Sequence, residues 1–81
     1  MKVKPEQAHL VNSILESASF GPTTVDSIII WNKSVEEAGR LHVEFVIEQL
    51  LHAGCLSRTS DHRLITTREG EIFGLKTQHV A

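Results

Sequence analysis

At Gly54 the sequence changes its period, and little else in these 81 residues restricts the fold as much. Upstream, the run from Ser34 to Ala53 is rich in strong helix formers. Val43, Val46, Ile47 and Leu50 recur there at spacings of three and four, so at about 100° per residue they project to one side, towards a core. Gly54 is the residue type that stops a helix, because it enters the left-handed conformation without steric cost. Downstream, Cys55-Leu56-Ser57-Arg58-Thr59 reads as a strand, Ser60-Asp61-His62 as a tight turn, and Arg63-Leu64-Ile65-Thr66 as the returning strand. An amphipathic helix that runs directly into a hairpin packs its apolar side beneath it, which makes the fold class α+β.

The first half of the chain supplies the rest of the core. Pro5 suits the first turn of a helix, and Glu6 sits well near the positive end of the helix dipole. Ala8, Val11, Ile14, Leu15 and Ala18 form one apolar stripe, Phe20 extends it, and Gly21-Pro22 ends it, which predicts a helix over 5–19. The segment 23–32 has two readings. Three consecutive isoleucines and Trp31 favour a strand, whereas Thr23 with Asp26 favours a short capped helix; both readings place the segment in the core. Ser34-Val35-Glu36-Glu37 matches a capping box, with Ser34 as N-cap and Glu37 reaching back. Gly39 lies on the apolar face, where it either allows close approach or breaks the segment into two helices. After the hairpin, Thr66 or Thr67 can cap a last short helix with Glu69 in its first turn and Ile72, Phe73 and Leu75 as its apolar side. Residues 76–81 are expected to fray.

Size and composition narrow the function classes. A chain of this length is expected to be a single domain, 1–81, and buries only about 60% of the surface that it exposes when unfolded. Its stability therefore gains from a partner or a second copy that covers apolar surface. Eight Lys+Arg against ten Asp+Glu give a net charge of −2, which weighs against an ordinary nucleic-acid binder. Cys55 is the only cysteine, so no internal disulfide can staple the fold. No run approaches the roughly 18 apolar residues of a membrane span, and no apolar run follows Met1-Lys2-Val3-Lys4, so neither a membrane anchor nor a signal peptide is expected. The cytoplasm is the expected compartment.

Leu50-Leu51-His52-Ala53-Gly54-Cys55-Leu56 resembles the close of the recognition helix in winged helix-turn-helix domains, and Thr67-Arg68-Glu69-Gly70 resembles the threonine-x-x-glycine that ends their wing and opens a final helix. The resemblance spans roughly residues 5–75, with its specific signal in 46–70, and small phage and prophage winged-helix proteins are similar in size. It implies a three-helix core with a two-stranded wing, and a dimeric, DNA-binding transcriptional regulator. Two features depart from the pattern. The helix begun at the capping box runs on to Gly54 without a separate second helix and turn, and Thr66 stands where Leu or Ile is usual.

Two sets of candidate residues follow. Lys33, Arg40, Arg58, His62, Arg63 and Arg68 could grip a phosphate backbone around the wing, or simply keep a hairpin edge solvated. Opposite the core side of the long helix stand Leu41, Glu44, Phe45, Glu48 and His52. Two carboxylates repel phosphates and two apolar side chains offer little to base edges, so this set suits a homodimer or another protein partner, as in an adaptor or inhibitor. The alternative is that Leu41 and Phe45 pack on helix one or on 28–31. His52-x-x-Cys55 has ligand-like spacing, with Asp61-His62 near, but a structural zinc site wants four ligands, and no metal or other cofactor is expected. Cys55 reads as a small buried hydrophobe, not as a nucleophile; there is no phosphate-cradling loop or dinucleotide fingerprint, and no enzyme activity or small-molecule substrate is expected. A pH response through His42 or His52 is conceivable on residue type alone.

Overall fold

In the computed structural model, residues 5–78 are described. The expected helix forms first, as α1 (Pro5–Ser19), and its stripe of Ala8, Val11, Ile14, Leu15 and Ala18 is buried, with Leu10 beside it. The ambiguous segment resolves into a helix, α2 (Val25–Trp31), capped by Thr24 and not Thr23. Thr24 Oγ1 accepts from the Ser27 N–H at 3.1 Å. Thr23 instead forms an isolated antiparallel bridge with Leu64, their N–H and C=O groups exchanging bonds of 2.9 and 2.6 Å. Only Ile28 of the isoleucine run is fully buried; Ile29 is half-buried, and Ile30 and Trp31 face solvent. The core expectation for this segment therefore holds only on one side of the helix.

The capping box does not form. Helix α3 (Lys33–Ala38) begins one residue before Ser34, and its N-cap is Asn32 in extended conformation. The Asn32 carbonyl accepts from the N–H groups of Val35 and Glu36, each at 3.0 Å. Its side-chain amide ties the preceding helix down, donating to the Ile28 carbonyl and to Ser17 Oγ, each at 2.8 Å. Asn32 thus closes α2 and opens α3, and leaves Ser34 inside the first turn. The helix also does not run straight to Gly54. Gly39, at φ +88°, ends α3 and starts α4 (Arg40–His52), so the break is the correct one of the two readings.

Helix α4 buries Val43, Val46, Ile47 and Leu50, as the periodicity requires. It ends on Gly54 at φ +81°. The Gly54 N–H donates to the Leu51 carbonyl at 3.2 Å and the Cys55 N–H to the Leu50 carbonyl at 2.9 Å, the paired bonds of a Schellman stop. The hairpin follows as β1 (Leu56–Arg58) and β2 (Leu64–Thr66), antiparallel, with Ser57 opposite Ile65; Leu56 and Leu64 point into the core.

Thr67, not Thr66, caps the last helix, α5 (Arg68–Gln78), accepting from the Gly70 N–H at 3.1 Å. This helix is longer than the short one expected. Its inner side includes Phe73, which packs on the core, whereas Ile72 is exposed. The Leu75 side chain, the Glu6 side chain, residues 1–4 and the 79–81 part of the expected frayed tail lie outside what is described. Helix α5 packs against α1. Together these elements make a small α+β unit whose order is compatible with a winged helix. None of the described helices is long and apolar enough to cross a membrane.

Candidate interaction surfaces

Burying Val43, Val46, Ile47 and Leu50 turns the opposite side of α4 outwards. Leu41 and Phe45, one turn apart, are 84% and 59% exposed. The alternative that they pack on α1 or on 28–31 is therefore excluded. Glu44 is half-buried beside them, Glu48 and His52 are exposed, and the five residues form one outward side of a single helix.

Two cations of the other set, Arg40 and Arg58, are drawn into this side. Arg40, in the first turn of α4, donates through Nη1 to Asp26 of α2 at 2.5 Å and through Nε to Glu44 at 3.1 Å. Its guanidinium is held charged above its usual range, first by the hydrogen bond to Asp26 and then by the charge of that carboxylate. Arg58 on β1 reaches Glu48 at 3.3 Å. A cleft of about 340 Å³ lies here, lined by Val25, Glu44, Ile47, Glu48 and Arg58. Two of the residues expected to serve phosphate thus meet, on one surface, those expected to serve protein. Exposed pairs of this kind stabilise little, but each cancels the local charge that a phosphate would need.

At the hairpin tip, Arg63 Nε lies 3.2 Å from Asp61 Oδ2. Asp61 also accepts from the Thr59 hydroxyl, and that hydrogen bond leads the causes that hold its carboxyl below the usual carboxylate range. His62 sits exposed at φ +65°, the left-handed position of the turn. Lys33 and Arg68 are exposed at the starts of α3 and α5, and form no ion pair with another described residue.

The remaining candidates separate. Cys55 is buried behind the helix stop while His52 is exposed, and burial pushes the thiol pKa up, with Glu69 adding to the rise. Among the described residues no group of three or more His, Cys, Asp and Glu converges to hold a metal ion. His42 is half-buried, with its Nε2 3.4 Å from the Gln7 amide nitrogen of α1.

Two aromatic residues expected inside are outside. Phe20 and Trp31 are each 83% exposed and line a common groove of about 360 Å³ between the end of α1 and α2. The signal for Phe20 was positional: it follows the last helical turn directly and precedes Gly21-Pro22, so the helical phase no longer carries it inwards. Trp31 is three residues beyond Ile28, but it ends α2 where Asn32 turns the chain, and no inward packing follows.

Comparison of the chain with protein-family models, curated proteins and solved structures finds no match.

Proposed function

We propose that this chain is a winged-helix domain that works by binding protein through α4, with a second copy of itself as the simplest partner. The observation that carries this reading is the pairing of two facts on one helix. Leu41 and Phe45 are exposed, and the arginines beside them are already held by Asp26, Glu44 and Glu48. An apolar stripe bordered by arginines already paired with carboxylates is suited to a protein contact and poorly suited to phosphate. A C2 contact presents the same stripe from both sides, and a chain this small gains much from the covering.

Light scattering across protein concentration tests it. The wild type is expected to approach the mass of two chains, and Leu41→Ala with Phe45→Ala to return it to one, with the helical circular dichroism unchanged. A wild type that stays at the mass of one chain throughout would remove the self-association.

One observation favours a second reading, a DNA-binding transcriptional regulator: Lys33 and Arg68 are exposed cations without a described ion-pair partner, and Arg68 directly follows a hairpin that comes after α4 in winged-helix order. Binding of this kind shows as a mobility shift at low salt that weakens steeply as salt rises and is reduced for all sequences by Lys33→Ala with Arg68→Ala. No shift at low salt discards it.

A further inference from the structure

Two grooves with no α4 residue in their lining meet along α1 and share Glu16. One is the groove bordered by Phe20 and Trp31; the other, of about 430 Å³, lies between α1 and α5 and includes Glu71. No Lys, Arg or His is among the described residues that line either groove. Glu16 and Glu71 are exposed and form no ion pair with another described residue. This contrasts with the α4 side, where Asp26, Glu44 and Glu48 are all bound by arginine. The described lining therefore offers negative charge and two exposed aromatic rings, with no cation among its own residues to meet them.

We propose that this face docks a basic peptide segment of a partner protein, with an arginine or lysine side chain lying against Phe20 and Trp31 and its charge meeting Glu16. An aromatic face attracts a cation through its quadrupole, and a nearby carboxylate adds the Coulomb attraction that fixes which head group enters. Glu71 lies further along the same face, where a second basic residue of the segment can follow. The groove floor near the aromatics is well anchored, because Asn32 holds Ser17 of α1 to the end of α2. Nucleic acid and anionic lipid are disfavoured here, since their phosphates would face two uncompensated carboxylates.

Trp31 is the only tryptophan in the chain, so its emission reports on the site directly. The probe is a short capped peptide of glycine and serine carrying two arginines, with a second peptide in which citrulline replaces each arginine. The arginine peptide is expected to change Trp31 emission saturably, and the change should weaken with salt. Glu16→Gln and, separately, Phe20→Ser should each weaken binding by about fivefold, with circular dichroism unchanged. Phe45→Ala should leave it intact, because that residue lies on the α4 side; binding here is thus independent of whether α4 dimerises. The proposal is overturned if no saturable change occurs up to millimolar peptide, if the citrulline peptide binds as well, or if Glu16→Gln binds like the wild type.

Discussion

Thr66, Thr67 and Gly70 show how single atoms hold the hairpin to the helices. The hydroxyl of Thr66 donates to the Leu15 carbonyl of α1 at 2.6 Å, which is what a threonine supplies and Leu or Ile could not. Thr67 Oγ1 donates to the Gly54 carbonyl at 2.5 Å while capping α5, so the helix stop and the last helix share one side chain. Gly70 is required for contact: a Cβ there would run into the Cys55 carbonyl oxygen. Gly70→Ala should therefore destabilise the fold by about 2 kcal/mol or more in urea unfolding. Gly74, four residues on, makes the control. A Cβ there would meet Leu15 Cδ1 at 3.7 Å and Asn12 Oδ1 at 3.8 Å, ordinary contacts. Gly74→Ala should be neutral or stabilising by up to about 1 kcal/mol, since alanine favours the helix. Cys55 gives a pH prediction. Its pKa is raised by burial, so the folded state prefers the protonated thiol. That preference is fully present below the ordinary thiol range and is lost as pH rises through the folded value, so stability should decline slightly in alkali. Iodoacetamide should alkylate the native thiol far more slowly than the urea-unfolded one at the same pH; equal rates would show that the site is open.

Among the elements, the short helices depend most on their ends. Thr24 supplies the one side-chain cap of α2, and Thr24→Ala should cost about 1 kcal/mol by urea titration. Gly39 divides α3 from α4 at φ +88° and ψ +140°, with open space where a Cβ would stand. The penalty of Gly39→Ala is thus backbone strain and not collision, about 1–2 kcal/mol. A gain in stability at this position would mean that α3 and α4 can join into one helix. The capping-box motif failed for a related reason. Ser34 and Glu37 have the right spacing, but Asn32 already occupies the cap and is held there by bonds to Ile28 and Ser17 that no local pattern announces.

For the molecule as a whole, charge is sorted by side. Arginines and carboxylates are paired around α4 and the hairpin, while Glu16 and Glu71 stand without an ion-pair partner among the described residues on the α1 side. The apolar surface is sorted as well, with Leu41 and Phe45 on one side and Phe20 and Trp31 on another. Because Leu41 is so exposed, Leu41→Ala should change the stability of the isolated chain by no more than about 0.5 kcal/mol. A much larger loss at low concentration, where no second copy is bound, would mean that Leu41 supports the fold and not a partner.

Helix α1, the buried side of α4, the stop at Gly54 and the hairpin were legible from residue order. Each is a local pattern whose period or stereochemistry admits one outcome: a 3.6-residue stripe, a glycine at positive φ, a polar turn between two short apolar runs. The candidate sites were legible only as residue types. Whether Arg40 and Arg58 are free to meet phosphate depends on Asp26 and Glu48, which lie 14 and 10 residues away in sequence and are brought within reach by packing. Whether Phe20 and Trp31 are core depends on the angle at which Gly21-Pro22 and Asn32 turn the chain between α1, α2 and α3. Short-range physical chemistry writes the elements into the sequence, whereas the charge and exposure of a surface are sums over distant neighbours, which exist only after the helices have packed.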